Sequence, residues 1–221
     1  MTARFHSARG ITLIEATIVL TAVAVLSAVA APTLSRGIDS ARLSRAVSDM
    51  EAIKAAIANF AIDIETGQGG TQAGFTINGQ GNGTPVDILV SDGDIPTLGP
   101  NGGTAWDDPV DNTTGLVDFL ERHLVTNNPR GSALNAYPIP AGAGEGWRGA
   151  YINGPVDPDP WGNRYAVNTQ RLITTPRDVD VIVLTAGPDE EIDTAYNVTN
   201  PVPGDDDILV IIRRDPGRTV P

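Results

Sequence analysis

The chain has 221 residues, 41% of them hydrophobic, with 27 acidic against 15 basic side chains and a formal charge of −12. That surplus disfavours nucleic acid or anionic lipid as the partner of the soluble part, and the absence of cysteine excludes disulfides, thiolate metal sites and thiol nucleophiles. The two histidines, His6 and His123, leave few places for an imidazole base, so catalysis starts at a disadvantage.

Residues 1–10 form a short leader carrying Arg4 and Arg9 and no acid, a bias that holds the N-terminus on the cytoplasmic side of a membrane and exports the rest. From Ile11 to Ala31 the only charge is Glu15. At about 1.5 Å per residue this run can cross roughly 30 Å of hydrocarbon as a helix. A cleavable secretory signal ending at Ala28-Val29-Ala30 is the plain alternative. Glu15 speaks against it, because a carboxylate in an apolar helix costs about 2.5–3.5 kcal/mol even on a lenient insertion scale. Snorkelling of Glu15 to the cytoplasmic headgroups is a second bland reading.

Gly10 followed by Ile11-Thr12-Leu13-Ile14-Glu15 and the apolar run resembles the processing motif of type IV pilins and of the pseudopilins of type II secretion. The resemblance implies cleavage between Gly10 and Ile11 by a prepilin peptidase and N-methylation of Ile11, where the family more often has Phe. It also implies that Glu15 pairs with the new N-terminal ammonium of a neighbouring subunit. In a low-dielectric bundle that attraction is far stronger than in water, which makes a buried charge a registry device.

Pro32 cannot donate to the helical ladder, so a kink or local melting is expected there before the helix resumes over residues 32–65. Leu43, Ala46, Met50, Ile53, Ile57, Phe60 and Ile64 recur at steps of three and four and predict one apolar stripe packed on the chain's own sheet. A coiled-coil seam competes with it, but there are too few clean heptads. Gly67, Gly69 and Gly70 mark the stop.

Residues 66–145 are rich in Gly, Asn, Asp, Thr and Pro and read as a loop-rich insertion, with Asn-Gly pairs at Asn78, Asn82 and Asn101 suited to tight turns. A short helix is expected over Thr114–Leu124, with His123 on its polar side and without a role.

Residues 146–221 form the last region. Trp147-Arg148-Gly149-Ala150-Tyr151 and Asp157-Pro158-Asp159-Pro160-Trp161-Gly162-Asn163-Arg164-Tyr165 resemble the "WRGPY" and "DPWGNPY" segments of the G-type major pseudopilin. An Asp-Pro turn, a bulky aromatic, a Gly and a self-bonding Asn would fix two corners. The β-branched runs Val179–Leu184 and Ile208–Ile212 predict two strands paired antiparallel. Between them Asp189, Glu190, Glu191, Asp193, Asp205, Asp206 and Asp207 concentrate hard oxygen donors. Such a loop suits Ca²⁺, although the spacing fits no EF-hand and a merely solvated acidic loop is the alternative. The likeness of Ala186-Gly187-Pro188-Asp189 to the family's "YGAD", and of Asp206-Asp207-Ile208 to its "ADI", implies a calcium site with Asp189 and one or two of Asp205, Asp206 and Asp207 as ligands.

Taken together, the expected fold is α+β and type IV pilin-like, a long N-terminal helix on a small antiparallel sheet with a loop-rich insertion. The resemblance implies a non-enzymatic, single-pass inner-membrane subunit with a periplasmic C-terminal part. It would polymerise with its own copies into a periplasmic or extracellular filament, contact lipid through residues 11–31, and work with minor pseudopilins and an inner-membrane assembly platform; no nucleic acid partner is expected. A surface pilus serving adhesion, motility or DNA uptake is the nearest alternative. An exported enzyme using Asp157 and Asp159 as acid and base is the more distant one.

Overall fold

The computed structural model describes residues 11–65, 75–77, 84–103, 105–110, 116–142, 146–173 and 179–213, without the side chains of residues 29, 31–33, 65, 171 and 173. The expected leader, residues 1–10, and the glycine stop at Gly67, Gly69 and Gly70 lie outside the described residues, as do Asn78 and Asn82. The chain divides into two compact units, Met1–Leu43 and Ser44–Pro221.

Helix α1 spans Leu13–Glu65. It is not interrupted at Pro32, contrary to the expected local melting; a missing N–H forfeits one ladder bond without ending a helix of this length. In the first unit its large apolar side chains are exposed on every side, among them Leu13, Ile14, Ile18, Leu20, Val23, Leu26 and Leu34. In the second unit the predicted stripe holds from Ala46 onward: Ala46, Met50, Ile53, Ile57, Phe60 and Ile64 are buried, whereas Leu43 is exposed.

That stripe packs on one face of a five-stranded sheet of β1 (Ile88–Val90), β3 (Val117–Phe119), β4 (Ala166–Asn168), β5 (Val181–Thr185) and β7 (Ile208–Arg213), in the order β3-β1-β4-β5-β7. The predicted antiparallel pair is β5 with β7. The sheet as a whole is mixed, because β1 and β3 run parallel. Both belong to the region expected to be loops. Their β-branched and aromatic residues, Ile88 and Val90 opposite Val117 and Phe119, pair across the join.

Register explains the two-sided core. Side chains alternate along a strand, so the row Leu89, Val167, Val183 and Val210 faces α1 with Phe60 and Tyr165. The row Val90, Ala166, Leu184 and Leu209 faces the other way and is covered by Trp106, Ala186 and Ile192. That second cover comes from the insertion and from the loop after β5, which pair through β2 (Thr97–Leu98) and β6 (Glu191–Ile192) in parallel. With both faces covered, β1 and residues Val181–Leu184 of β5 read as unbroken apolar runs.

Two smaller expectations change. Of the helix expected over Thr114–Leu124, residues 114–115 lie outside the described residues and the rest forms β3 followed by a single turn, α2 (Leu120–Leu124). His123 is fully buried. Its Nδ1 lies 2.6 Å from the Tyr137 hydroxyl and its Nε2 3.0 Å from Asp118 Oδ2, so both ring nitrogens are satisfied inside the protein.

Candidate functional site

At the start of α1, Thr12 donates from both its N–H and its hydroxyl to Glu15 Oε2, at 3.2 and 3.1 Å, and the Glu15 N–H donates back to Thr12 Oγ1 at 3.2 Å. This is a capping box, and the Thr-x-x-Glu spacing that announces it is present in the sequence. It gives Glu15 a role inside its own chain, worth about 1 kcal/mol to the helix start, and sets a negative charge at the positive end of the helix dipole. Ile11, directly before Thr12, is exposed, whereas Gly10 lies outside the described residues.

The Asp-Pro-Trp-Gly-Asn corner is built around Asp159. Its Oδ1 accepts the N–H groups of Trp161, Gly162 and Asn163 at 2.9, 2.8 and 2.9 Å, and its Oδ2 accepts the Thr185 hydroxyl. A carboxylate that gathers three successive amides on one oxygen works as a turn device; Asp157 is exposed. Arg164 is buried and donates from Nη2 to the carbonyls of Trp106 at 2.6 Å and Asp108 at 2.9 Å, which binds the corner to the insertion. Trp147 and Trp161 are only partly buried. The fully buried tryptophan is Trp106, within the loop-rich insertion and outside both resembling segments; its indole N–H donates to Thr194 O at 2.9 Å.

The acidic loop brings some of the expected ligands together and separates others. Asp189 and Asp206 meet, with the Asp189 N–H donating to Asp206 Oδ2 at 3.1 Å. Burial, and then the hydrogen-bonded Asp189 carboxyl, raise the pKa of Asp206. Asp207 is buried and closes the loop: its Oδ2 accepts the N–H groups of Asp193 and Thr194 at 2.9 and 2.7 Å and the Thr194 hydroxyl at 2.6 Å. Asp205 is exposed, at a left-handed φ of 31°.

Carboxylate oxygens of Asp189, Glu191 and Asp193 lie within 4.8 Å of one another. Glu191 and Asp193 were part of the acidic run in the sequence but not of the expected ligand set; the signal for them is the Asp-x-Glu-x-Asp spacing. The donor set fits a hard cation, since it is all oxygen. The oxygens Asp206 Oδ1 and Asp207 Oδ1 are moreover buried without a hydrogen-bond partner among the described residues. An orphaned buried carboxylate oxygen is costly unless something positive meets it.

No protein-family model, curated protein or solved structure matches the chain.

Proposed function

We propose that this chain is the repeating subunit of a type IV pilin-like filament, closest in kind to the major pseudopilin of type II secretion. The observation that carries the reading is the first half of α1, whose large apolar side chains are exposed all round, while the second half buries one apolar stripe on the sheet. A helix apolar on every side finds its cover in lipid or in other helices. Among the described residues no helix is long and apolar enough to cross a membrane. The side chains of Val29 and of residues 31–33 lie outside that description, and the proposed span is the whole sequence run Ile11–Ala31.

In this reading a prepilin peptidase cuts after Gly10, Ile11 becomes the methylated N-terminus, and residues 11–31 pass from the inner membrane into a filament core made of other copies. Minor pseudopilins and the inner-membrane platform start and drive assembly. Mass spectrometry of the mature chain from cells containing the peptidase is expected to find a methylated Ile11 as first residue. An N-terminus at Ala31, or retention of residues 1–10, overturns the proposal.

Glu15→Gln separates the two roles of Glu15. Glutamine keeps the capping box but removes the charge that a neighbour's ammonium would meet. Filament yield is expected to fall to background in Glu15→Gln while membrane insertion persists; filaments at the normal level would reduce Glu15 to a helix cap.

The acidic loop is the calcium site of this reading, held by Asp189, Glu191 and Asp193 together with Asp206 or Asp207. A bound ion would neutralise carboxylates that otherwise repel and close the loop between β5 and β7. Saturating calcium is expected to stabilise the full chain in detergent by about 2.7 kcal/mol at a hundred times the dissociation constant. A chelator should return the melting midpoint to its metal-free value, and equal midpoints with and without chelator would remove the site.

A further inference from the structure

We infer that the glycine-rich turn Gly99–Gly103 of the insertion is a clamp that holds the acidic loop in its cation-binding shape, with Gly99 and Asn101 as positioning residues for Asp193. The inference rests on the calcium reading above and assigns this chain's own insertion a task within it.

β6 is only two residues long; its strand partner is β2, and the Glu191 N–H also donates to Asp189 Oδ1 at 2.9 Å. The Thr97 N–H donates to Glu190 O at 3.1 Å and the Gly99 N–H to Ile192 O at 2.9 Å, which fixes the backbone of the loop as extended chain. In an extended chain neighbours point to opposite sides. Ile192 points into the core beneath the sheet, so Glu191 and Asp193 share the other side, where they meet Asp189. Three carboxylates this close repel one another, and a loop free to relax would spread them. The pairing with the insertion holds them together before any cation arrives, which is preorganisation in the ordinary sense.

Asp193 is gripped most closely. The Asn101 N–H approaches its Oδ1 at 3.4 Å. A Cβ on Gly99 would collide with its carboxylate, and a Cβ on Gly204 with its own Cβ, so the residue lies between two glycines. Further along the turn, a Cβ on Gly102 would strike Ile192 O and one on Gly103 would strike Tyr196. Glycine is required here by the close approach of two backbones. The buried Asp207 holds the Asp193 and Thr194 amides through Oδ2, and its Oδ1 is buried without a hydrogen-bond partner among the described residues.

Calcium titration calorimetry and melts in calcium and in chelator, on the full chain in detergent, test the clamp. Gly99→Ala is expected to weaken calcium binding by about tenfold or more, as loss of an outer-shell support commonly does, and to shrink the calcium-induced rise in midpoint. Gly37→Ala, at a helical position with open space around it, should leave both unchanged. A glycine with a purely structural role would lower the midpoints in calcium and in chelator equally and preserve the rise between them, which overturns the clamp. Asn101→Pro, which deletes the amide facing Asp193, is read in the same way and keeps the test decisive should Gly99→Ala fail to fold. Unchanged affinity in the folded variants overturns the clamp alone, whereas a wild-type chain that binds no calcium overturns the metal reading and the clamp with it.

Discussion

Asp159→Ala is expected to destabilise the folded head by about 3 kcal/mol, on the scale of the 1–3 kcal/mol that a buried donor costs when it loses its partner. One carboxylate oxygen serves three successive amides, those of Trp161, Gly162 and Asn163, and the other serves the Thr185 hydroxyl on β5. Truncation strips all four donors at once and frees the reversal that leads into Tyr165 and β4. Asn at this position keeps one oxygen for the amides, so Asp159→Asn should cost about half as much, since neutral acceptors are roughly half as strong as ionised ones. Urea unfolding of the three proteins measures this order directly. Against a typical total of 5–15 kcal/mol, the Ala variant should show a much lower midpoint at an unchanged slope. If Asp159→Ala unfolds like wild type, the carboxylate does not hold the corner.

The corner was legible in the sequence because its chemistry is local. An Asp followed by Pro, aromatic, Gly and Asn specifies a turn with little help from elsewhere. The stripe Ala46 to Ile64 was legible for a similar reason, since helical periodicity and burial on one sheet agree. Leu43 extends the period but not the burial, because the second unit begins only at Ser44. Strands β1 and β3 were hidden by their shortness and by their parallel pairing, which joins residues far apart in the chain. Asp118 misleads in another way. Between Val117 and Phe119 it reads as the solvent side of a half-buried strand, yet here both sides are covered, and it continues the row that faces α1 beside Leu89. The burial of His123 follows from that carboxylate and from Tyr137, whose nearness no spacing rule announces. In the acidic loop, a reading by likeness to a family selected the residues at the two ends of the loop. The alternation of Glu191 and Asp193 about the buried Ile192 becomes decisive only once β2 is seen to pair with β6.

Acidification is expected to weaken the head through His123, with a sign opposite to that of a salt-bridged histidine. Burial lowers the pKa of the ring; Asp118 pulls it upward, while Arg122 and Arg130 repel a second cation. Asp118 does not need a charged imidazole, because it already receives Arg122 Nη1 at 2.7 Å and the Arg130 N–H at 2.7 Å. Burial raises the carboxyl, but the His123 ring, by hydrogen bond and charge, and then the Arg130 amide and Arg122 outweigh that and bring it down to about 2. The ring is therefore neutral in the folded protein at pH 7. Its partners assign the tautomer: Nε2–H donates to Asp118, and Nδ1 accepts from the Tyr137 hydroxyl. A folded pKa below the unfolded value of about 6.5 means that, below that pH, the unfolded chain takes up a proton the native state refuses. Stability is full above about pH 6.5 and is lost as pH falls toward the native pKa, at up to about 1.4 kcal/mol per pH unit. Asp207 has the opposite sign: without a cation, burial raises it to about 6, so its contribution is largest in acid and is lost as pH rises through that value. The raw pH curve mixes the two, and the diagnostic quantity is the difference between wild type and His123→Gln. That difference should narrow as pH falls from 6.5 toward 5, because only wild type carries the refused proton. A difference that widens over this range would mean that the folded ring is a cation paired with Asp118.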